Sequence, residues 1–246
     1  MDNNQYIYES EINYIFDVDG TMTPSREGMD LDFEHYFNNW MKDKKVYFAT
    51  GSDYPKTYDQ LGPWICGAAR KVFCCLGNSI WCMGDEIHTD DWLLDDGAKS
   101  FLSLRLDASP FHLRTGQHFE DRPGMCNFSV VGRGASKEER KEYYNYDLKT
   151  QERYHIAREF NFAYGNAGLK AQVAGETGLD IIPKGKDKSQ IANMIKGPIV
   201  FFGDKMGVEG NDRPLADAIK DREGSSSITV NSWRDTYNHL RTHYGL

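Results

Sequence analysis

Two aspartates one residue apart, Asp17 and Asp19, follow the apolar run Ile12 to Phe16 in the segment Phe16-Asp17-Val18-Asp19-Gly20-Thr21-Met22-Thr23. Successive side chains of a strand alternate in direction, so carboxylates at i and i+2 at a strand's mouth can share a face or splay around one ion. Carboxylate oxygens are hard ligands suited to Mg²⁺, and a carboxylate is also a nucleophile toward phosphorus. Asp17 is therefore the candidate nucleophile and a metal ligand. Asp19, just beyond the strand, joins the metal set and is placed to protonate a leaving group or deprotonate an acceptor. Gly20 gives a tight turn, and Thr21 offers a hydroxyl and a backbone N–H to a phosphoryl group. A strand that merely ends in an Asp-Gly turn has the same local sequence, so the context decides.

Three other places supply context. Lys45-Val46-Tyr47-Phe48-Ala49 reads as a second buried strand and runs into Thr50-Gly51-Ser52-Asp53, a hydroxyl-rich turn opening a helix, where Thr50 and Ser52 suit phosphate oxygens. Pro198-Ile199-Val200-Phe201-Phe202 reads as a third strand ending in Gly203-Asp204, with Asn211-Asp212 in the loop beyond, so Asp204 and Asp212 complete a set of hard oxygen ligands. Lys188, in Lys186-Asp187-Lys188, balances the negative charge that gathers around Asp17 and a phosphate. Thr-Gly and Gly-Asp turns are ordinary loop chemistry one at a time. It is their order, each at a strand end, that carries the signal.

The elements that position these residues form a βαβ rhythm: a strand near Ile12, a helix near Leu31 to Met41, a strand near Val46, a helix near Tyr54 to Leu61 and a strand near Val72, resuming after about 187. Between them, His112 to Pro183 carries antiparallel-looking strands and two helix-like stretches. The chain has 246 residues, 39% hydrophobic and 13% aromatic, enough for a core. No apolar run is long enough to span a membrane and Met1-Asp2-Asn3-Asn4-Gln5 has no leader pattern, which predicts a cytoplasmic protein with no membrane partner. A net charge of −8 argues against general binding of nucleic acid. The odd count of 5 cysteines (Cys66, Cys74, Cys75, Cys82, Cys126), with no paired C-x-x-C, argues against a disulfide framework or a zinc site and for reduced core residues.

Anion binding must then be local. Arg114, Arg122, Arg133 and Arg140 lie among strand-like and turn-like stretches, and arginine grips phosphate with a planar fork. Ser136-Lys137-Glu138-Glu139 is a capping box, placing Arg140 early on a helix and Arg133 in the loop before it. A solvated helix face is the better account of Lys137 and Lys141.

The order D-x-D-G-T, T-G-S-D, Lys, then G-D with N-D resembles the haloacid dehalogenase superfamily of aspartate-based phosphotransferases. Gly51-Ser52-Asp53 with Lys56 and Gln60-Leu61-Gly62, Arg122-Pro123-Gly124-Met125-Cys126-Asn127, Gly132-Arg133 through Glu138-Glu139-Arg140, and Phe201-Phe202-Gly203-Asp204-Lys205 resemble, more narrowly, the eukaryotic-type phosphomannomutases. The likeness runs from Ile12 to about Asp212. It implies an α/β fold: a haloacid dehalogenase-like Rossmannoid parallel-sheet core (1–83 and 187–246) with an inserted α+β cap of type C2b (84–186) that closes over the core and mediates a homodimer. It also implies Mg²⁺ as cofactor, an aspartyl-phosphate intermediate, and interconversion of mannose 1-phosphate and mannose 6-phosphate with a hexose 1,6-bisphosphate activator, a step of GDP-mannose biosynthesis. Carried over residue by residue, it assigns Arg26, Arg122, Arg133 and Arg140 to the sugar phosphate and Asp180 to the sugar hydroxyls.

The chain departs from the family at several points. Cys74-Cys75-Leu76-Gly77 stands where the family has Pro-Glu-Asn-Gly, and Gly178-Leu179-Asp180 replaces Ser-x-Asp. Thr50 replaces a glycine of the mutases and resembles the hydroxyl of the phosphatase members. The family's second cation site has no match after Asp212. These changes keep a Mg-dependent sugar-phosphate phosphatase as an alternative. A catalytically silent sugar-phosphate-binding protein is another, set against the presence of Asp17, Asp19, Lys188, Asp204 and Asp212 together. A P-loop nucleotide enzyme is a further alternative, set against the absence of any G-x-x-x-x-G-K-[ST].

Overall fold

The structure, a computed structural model, describes residues 11–207 and 210–245, so the expectation for Met1-Asp2-Asn3-Asn4-Gln5 lies outside the described residues. The path runs through β1 (Asn13–Phe16), α1 (Leu31–Trp40), β2 (Lys45–Ala49), α2 (Tyr54–Ala68) and β3 (Lys71–Cys74), then turns back in β4 (Ser79–Cys82) and β5 (Asp85–Thr89). Next come α3 (Asp96–Ala108), β6 (Phe119–Arg122), β7 (Met125–Ser129), α4 (Lys137–Thr150), α5 (Glu152–Tyr164), β8 (Leu169–Ala174) and β9 (Gly178–Pro183). The chain then forms α6 (Ser189–Met194), β10 (Ile199–Gly203), α7 (Arg213–Ile219), β11 (Ser226–Thr229) and α8 (Trp233–His243).

These elements fall into two units, one reaching Thr89 and resuming at Asp187, the other Asp90–Lys186. Contrary to an insertion beginning at 84, β5 is hydrogen-bonded to β4 in the sheet of the first unit.

The first unit is built on a 7-stranded sheet in the order β11-β10-β1-β2-β3-β4-β5. β1 pairs in parallel with both β2 and β10, while β4 and β5 are antiparallel additions. Every residue of β1 and β10 is buried, which is why, apart from Asn13, both read as apolar runs rather than alternating ones. On one face Ile15, Phe73, Ile199 and Phe201 pack with Ile191 of α6 and Leu215 and Ile219 of α7. On the other, Phe16 stacks on Phe202 at 4.9 Å between ring centroids and meets Phe37 of α1 edge-on at 5.3 Å. Such pairs contribute about 0.5–1.5 kcal/mol each beyond the area they bury.

Local sequence explains the helices that flank the site. Asp30 caps α1, accepting from the backbone N–H groups of Asp32 and Phe33, and Phe33, Phe37 and Trp40 recur on its buried face at helical spacing. Asp53 caps α2 by accepting from the N–H of Lys56. The helix breaks at Gly62, at φ 80°, just before Pro63, and resumes to Ala68.

The second unit is a 4-stranded antiparallel sheet, order β6-β7-β9-β8, covered by helices. Alternation divides its two faces. Phe119, Cys126, Phe128, Ala171, Val173, Leu179 and Ile181 join Leu102 of α3, Tyr143 of α4 and Phe160 of α5 in one apolar core. Glu120, Arg122, Asn127, Ser129, Gln172 and Asp180 take the opposite face. The capping box forms: Ser136 Oγ accepts from Glu139 N–H and Glu139 Oε2 accepts from Ser136 N–H. The five cysteines are free, and no helix among the described residues is long and apolar enough to cross a membrane.

Candidate active site

At β1 the chain order reverses, with β2 added on one side and β10 on the other, and the crevice outside the carboxyl ends at such a point is where open α/β sheets bind ligands. The candidate residues of the first unit stand there. Asp17 follows Phe16 at the end of β1, tied by its N–H to Phe202 O at 2.9 Å. Asp204 follows β10, and Asp212 immediately precedes α7. Ligand oxygens of Asp17, Asp204 and Asp212 all lie within 4.8 Å of one another. Gly20 makes this approach possible: its φ is 90°, and a Cβ there would sit 2.6 Å from Asp204 Oδ2.

One buried cation faces the three carboxylates. Lys188 is 0% exposed and its Nζ donates to Asp17 Oδ1 and Asp212 Oδ1, both at 2.6 Å. Burial pushes the Asp17 carboxyl well above its ordinary value, Lys188 pulls it down, and Asp212 and Asp204 add to the rise. The Lys188 ammonium is itself held above its usual range, its burial outweighed by Asp17 and Asp212. Asp204 pairs through Oδ2 with Lys205, but its buried Oδ1 has no partner. Hard oxygens, excess negative charge and an orphaned carboxylate oxygen together fit a divalent cation held by Asp17, Asp204 and Asp212.

Asp19 does not join them. Its carboxylate accepts from Lys56 Nζ at 2.8 Å, Gln60 Nε2 at 3.0 Å, the backbone N–H of Arg26 at 2.7 Å and Ser52 Oγ at 3.3 Å. The expectation of Asp19 as a side-chain metal ligand is corrected accordingly, because α2 takes its carboxylate on a different side. Burial alone would raise Asp19, but Lys56, with the bonds from Arg26 and Gln60, carries it below its ordinary value. Asp19 is therefore held as an ionised carboxylate. Lys56→Met should move the acid limb of the kcat/KM profile to higher pH, since loss of the ammonium leaves burial dominant and the pKa rises. A pH–rate titration of the two proteins with an unmoved acid limb would remove Asp19 from the role of base.

Thr50 and Ser52 are buried in the turn after β2, where Thr50 Oγ1 accepts from Ser52 N–H at 3.0 Å and Ser52 Oγ accepts from Lys56 Nζ at 2.8 Å. The turn that departs from the family braces them. Cys75 and Leu76, at φ 50° and 63°, donate backbone N–H bonds to Ser52 O and Thr50 O, and Gln190 of the Lys188 helix donates to Leu76 O. Two non-glycine residues in left-handed backbone are costly, and persist where surrounding contacts fix them. The side chain of Arg26 is exposed, and its backbone is the part seen on Asp19.

In the second unit, Arg122 forks onto Glu120 at 3.1 and 2.9 Å, and Arg133 meets the same carboxylate at 2.5 Å. Arg133 also donates to Asn127, whose amide donates to Asp180 at 2.7 Å. Arg140 pairs with Glu176 at 2.5 Å. Arg114, by contrast, spends its guanidinium on the carbonyls of Leu106, Ser109, Phe111 and Leu113, a structural brace. Sequence reasoning missed Glu120, Asn127 and Glu176. It also missed what Lys56 and Gln60 do, although their i, i+4 spacing after the Asp53 cap puts both on one face of α2.

Three kinds of relatives bear on this geometry. The family described as "Eukaryotic phosphomannomutase" matches residues 33–245. The chain is similar to a phosphomannomutase of Saccharomyces cerevisiae, 30% identical over 217 residues covering 84% of this chain and 85% of that one. It is 29% identical to phosphomannomutase 1 of Dictyostelium discoideum over 236 residues, 92% and 94% of the two chains. In fold it resembles the C-terminal domain of a trehalose-6-phosphate phosphatase from C. albicans, TM-score 0.64 at 12% identity over 97% and 93% of the chains. A Plasmodium falciparum IMP-nucleotidase gives TM-score 0.62 at 14% identity, covering 97% and 69%.

Proposed function

Because this chain belongs to the eukaryotic phosphomannomutase family, we propose that it interconverts mannose 1-phosphate and mannose 6-phosphate by way of an aspartyl-phosphate on Asp17. The observation that carries the reading is the convergence of Asp17, Asp204 and Asp212 on buried Lys188, with an ionised carboxylate, Asp19, held beside them by Lys56. Mg²⁺ is the cation suited to the three carboxylates, and when bound it offsets charge on the phosphoryl group.

The remaining chemistry belongs to side chains. Asp17 Oδ attacks phosphorus; the Asp17 O–P bond forms, the sugar O–P bond breaks, and the departing sugar oxygen receives the proton that Asp19 took from the accepting hydroxyl in the preceding transfer. In the return direction Asp19 takes the proton of the accepting hydroxyl while the phosphoryl group leaves Asp17. Lys188 holds Asp17 in line, and Thr50 and Ser52 offer hydroxyl groups to phosphoryl oxygens, so catalysis is positioning and charge stabilisation. A second set of cations, Arg122, Arg133 and Arg140, supports a substrate with a second, non-reacting phosphate. A hexose 1,6-bisphosphate then serves as activator by loading Asp17. Exposed Leu104, Leu148 and Phe162 of the second unit support a homodimer through that unit, and a cytoplasmic setting follows the family expectation.

Phosphorus NMR of mannose 1-phosphate with Mg²⁺ and a trace of hexose 1,6-bisphosphate tests the reading. The expected result is mannose 6-phosphate with little free phosphate. Steady release of inorganic phosphate without any 6-phosphate sugar would make this a phosphatase, and Thr50, whose hydroxyl sits where the mutases have glycine, the first residue to suspect.

A further inference from the structure

On the polar face of the second unit's sheet, Glu120 faces Asn127, Asn127 faces Asp180 and Asp180 faces Gln172, a single row across all four strands. Side chains directly opposite in this way lie close enough to act on one ligand group together. Glu120 is occupied with two arginines and Asn127 with Arg133 and Asp180. Gln172 differs. It is 6% exposed and its amide Nε2 has no hydrogen-bond partner. An unpaired buried donor is costly, so its retention in a row of otherwise engaged polar groups points to a partner that arrives with the ligand.

Gly178 shows why a donor is needed on β8. A Cβ at Gly178 would lie 2.7 Å from Asn127 Nδ2 and 3.0 Å from Asn127 Oδ1, so the Asn127 amide fills the place where the family's Ser-x-Asp pattern would put a hydroxyl. Asp180 keeps its carboxylate, an acceptor, but loses the hydroxyl two residues before it. Gln172, across from Asp180 on the next strand, restores a donor beside that acceptor.

We propose that Gln172 is a specificity-determining substrate contact: its Nε2 donates to one hydroxyl oxygen of a hexose phosphate while Asp180 accepts from the neighbouring hydroxyl, so that the pair reads a vicinal diol. The assignment rests on the sugar-phosphate reading above. A donor and an acceptor side by side discriminate the orientation of adjacent hydroxyls, because an epimer leaves one of the two buried groups unmatched.

Isothermal titration of mannose 1-phosphate and glucose 1-phosphate into wild type, Gln172→Met and Gln172→Glu tests it without turnover. Gln172→Met is near in size and apolar, and is expected to weaken the preferred sugar about tenfold and to narrow the difference between the two sugars. Its thermal midpoint should hold or rise, since an unpaired buried donor is removed. Gln172→Glu, which offers an acceptor in place of the donor, should bind no better than Gln172→Met. Wild-type affinity in Gln172→Met overturns the assignment, as does weakened binding that merely follows a fall in thermal midpoint, the mark of a structural amide. Wild type binding neither sugar would overturn the sugar-phosphate reading and this contact with it, whereas equal binding by wild type and Gln172→Met sinks the contact alone.

Discussion

Asp17→Asn is expected to lower turnover by at least about 10³-fold while the chain stays folded, because an amide keeps the shape of the carboxylate but cannot form the aspartyl-phosphate. The wild-type side chain is one of three carboxylates gathered around a single buried ammonium, and its own pKa is pushed up by burial and by Asp212 and Asp204. Taking away one of those charges relieves repulsion in the absence of a cation. Thermal unfolding in a chelating buffer should therefore show Asp17→Asn at least as stable as wild type, and the rate assay should show it inactive. A variant active within about tenfold of wild type would remove Asp17 from the nucleophile's role and the aspartyl-phosphate from the reaction.

How legible this site was in the sequence depends on which residues are considered. Asp17 and Asp204 were readable because each ends a strand buried on both faces, and Thr50 because it ends a strand whose last two residues are buried; a mostly apolar run followed by a carboxylate or hydroxyl is visible in one dimension. The partition of the carboxylates was not. Spacing puts Asp17 and Asp19 within reach of one ion, but the packing of α2 brings Lys56 and Gln60 onto Asp19 and draws it into a separate network. The same limit applies to β5, whose five residues are all exposed and so carry no alternation to read, and to the left-handed Cys75 and Leu76, which no propensity favours. In the second unit, alternation through Glu120-Asp121-Arg122 does assign the acid and the arginine to one face. What remained hidden was that Arg133, from a loop, shares the same carboxylate.

Lys188→Met should be destabilising and inactivating at once, and the two losses should separate when Mg²⁺ is added. Removing this fully buried ammonium leaves Asp17 and Asp212 without the cation that sits 2.6 Å from each. Breaking a buried pair from one side costs about 3–5 kcal/mol, since an uncompensated charge stays behind. In a chain of this size that is roughly 6–20 °C in the thermal midpoint. The pH dependence has a definite sign. Asp17, raised by burial and by its acidic neighbours, loses the ammonium that pulls it down, so the deficit is full at pH above its folded pKa and shrinks as pH falls through it and it takes up a proton. Mg²⁺ binds the folded carboxylates and not the unfolded chain, so it should recover part of the midpoint by mass action, and more in the variant than in wild type because the local charge is more negative. Turnover should stay down by about 10²–10³-fold, since Mg²⁺ does not hold Asp17 in line or meet the phosphoryl oxygen from the lysine's side. Calorimetry with and without Mg²⁺, paired with the phosphorus NMR assay, reads both quantities. A variant as stable as wild type in chelator would mean the carboxylates already share protons and Lys188 neutralises little; a midpoint indifferent to Mg²⁺ would mean Asp17, Asp204 and Asp212 do not hold the cation.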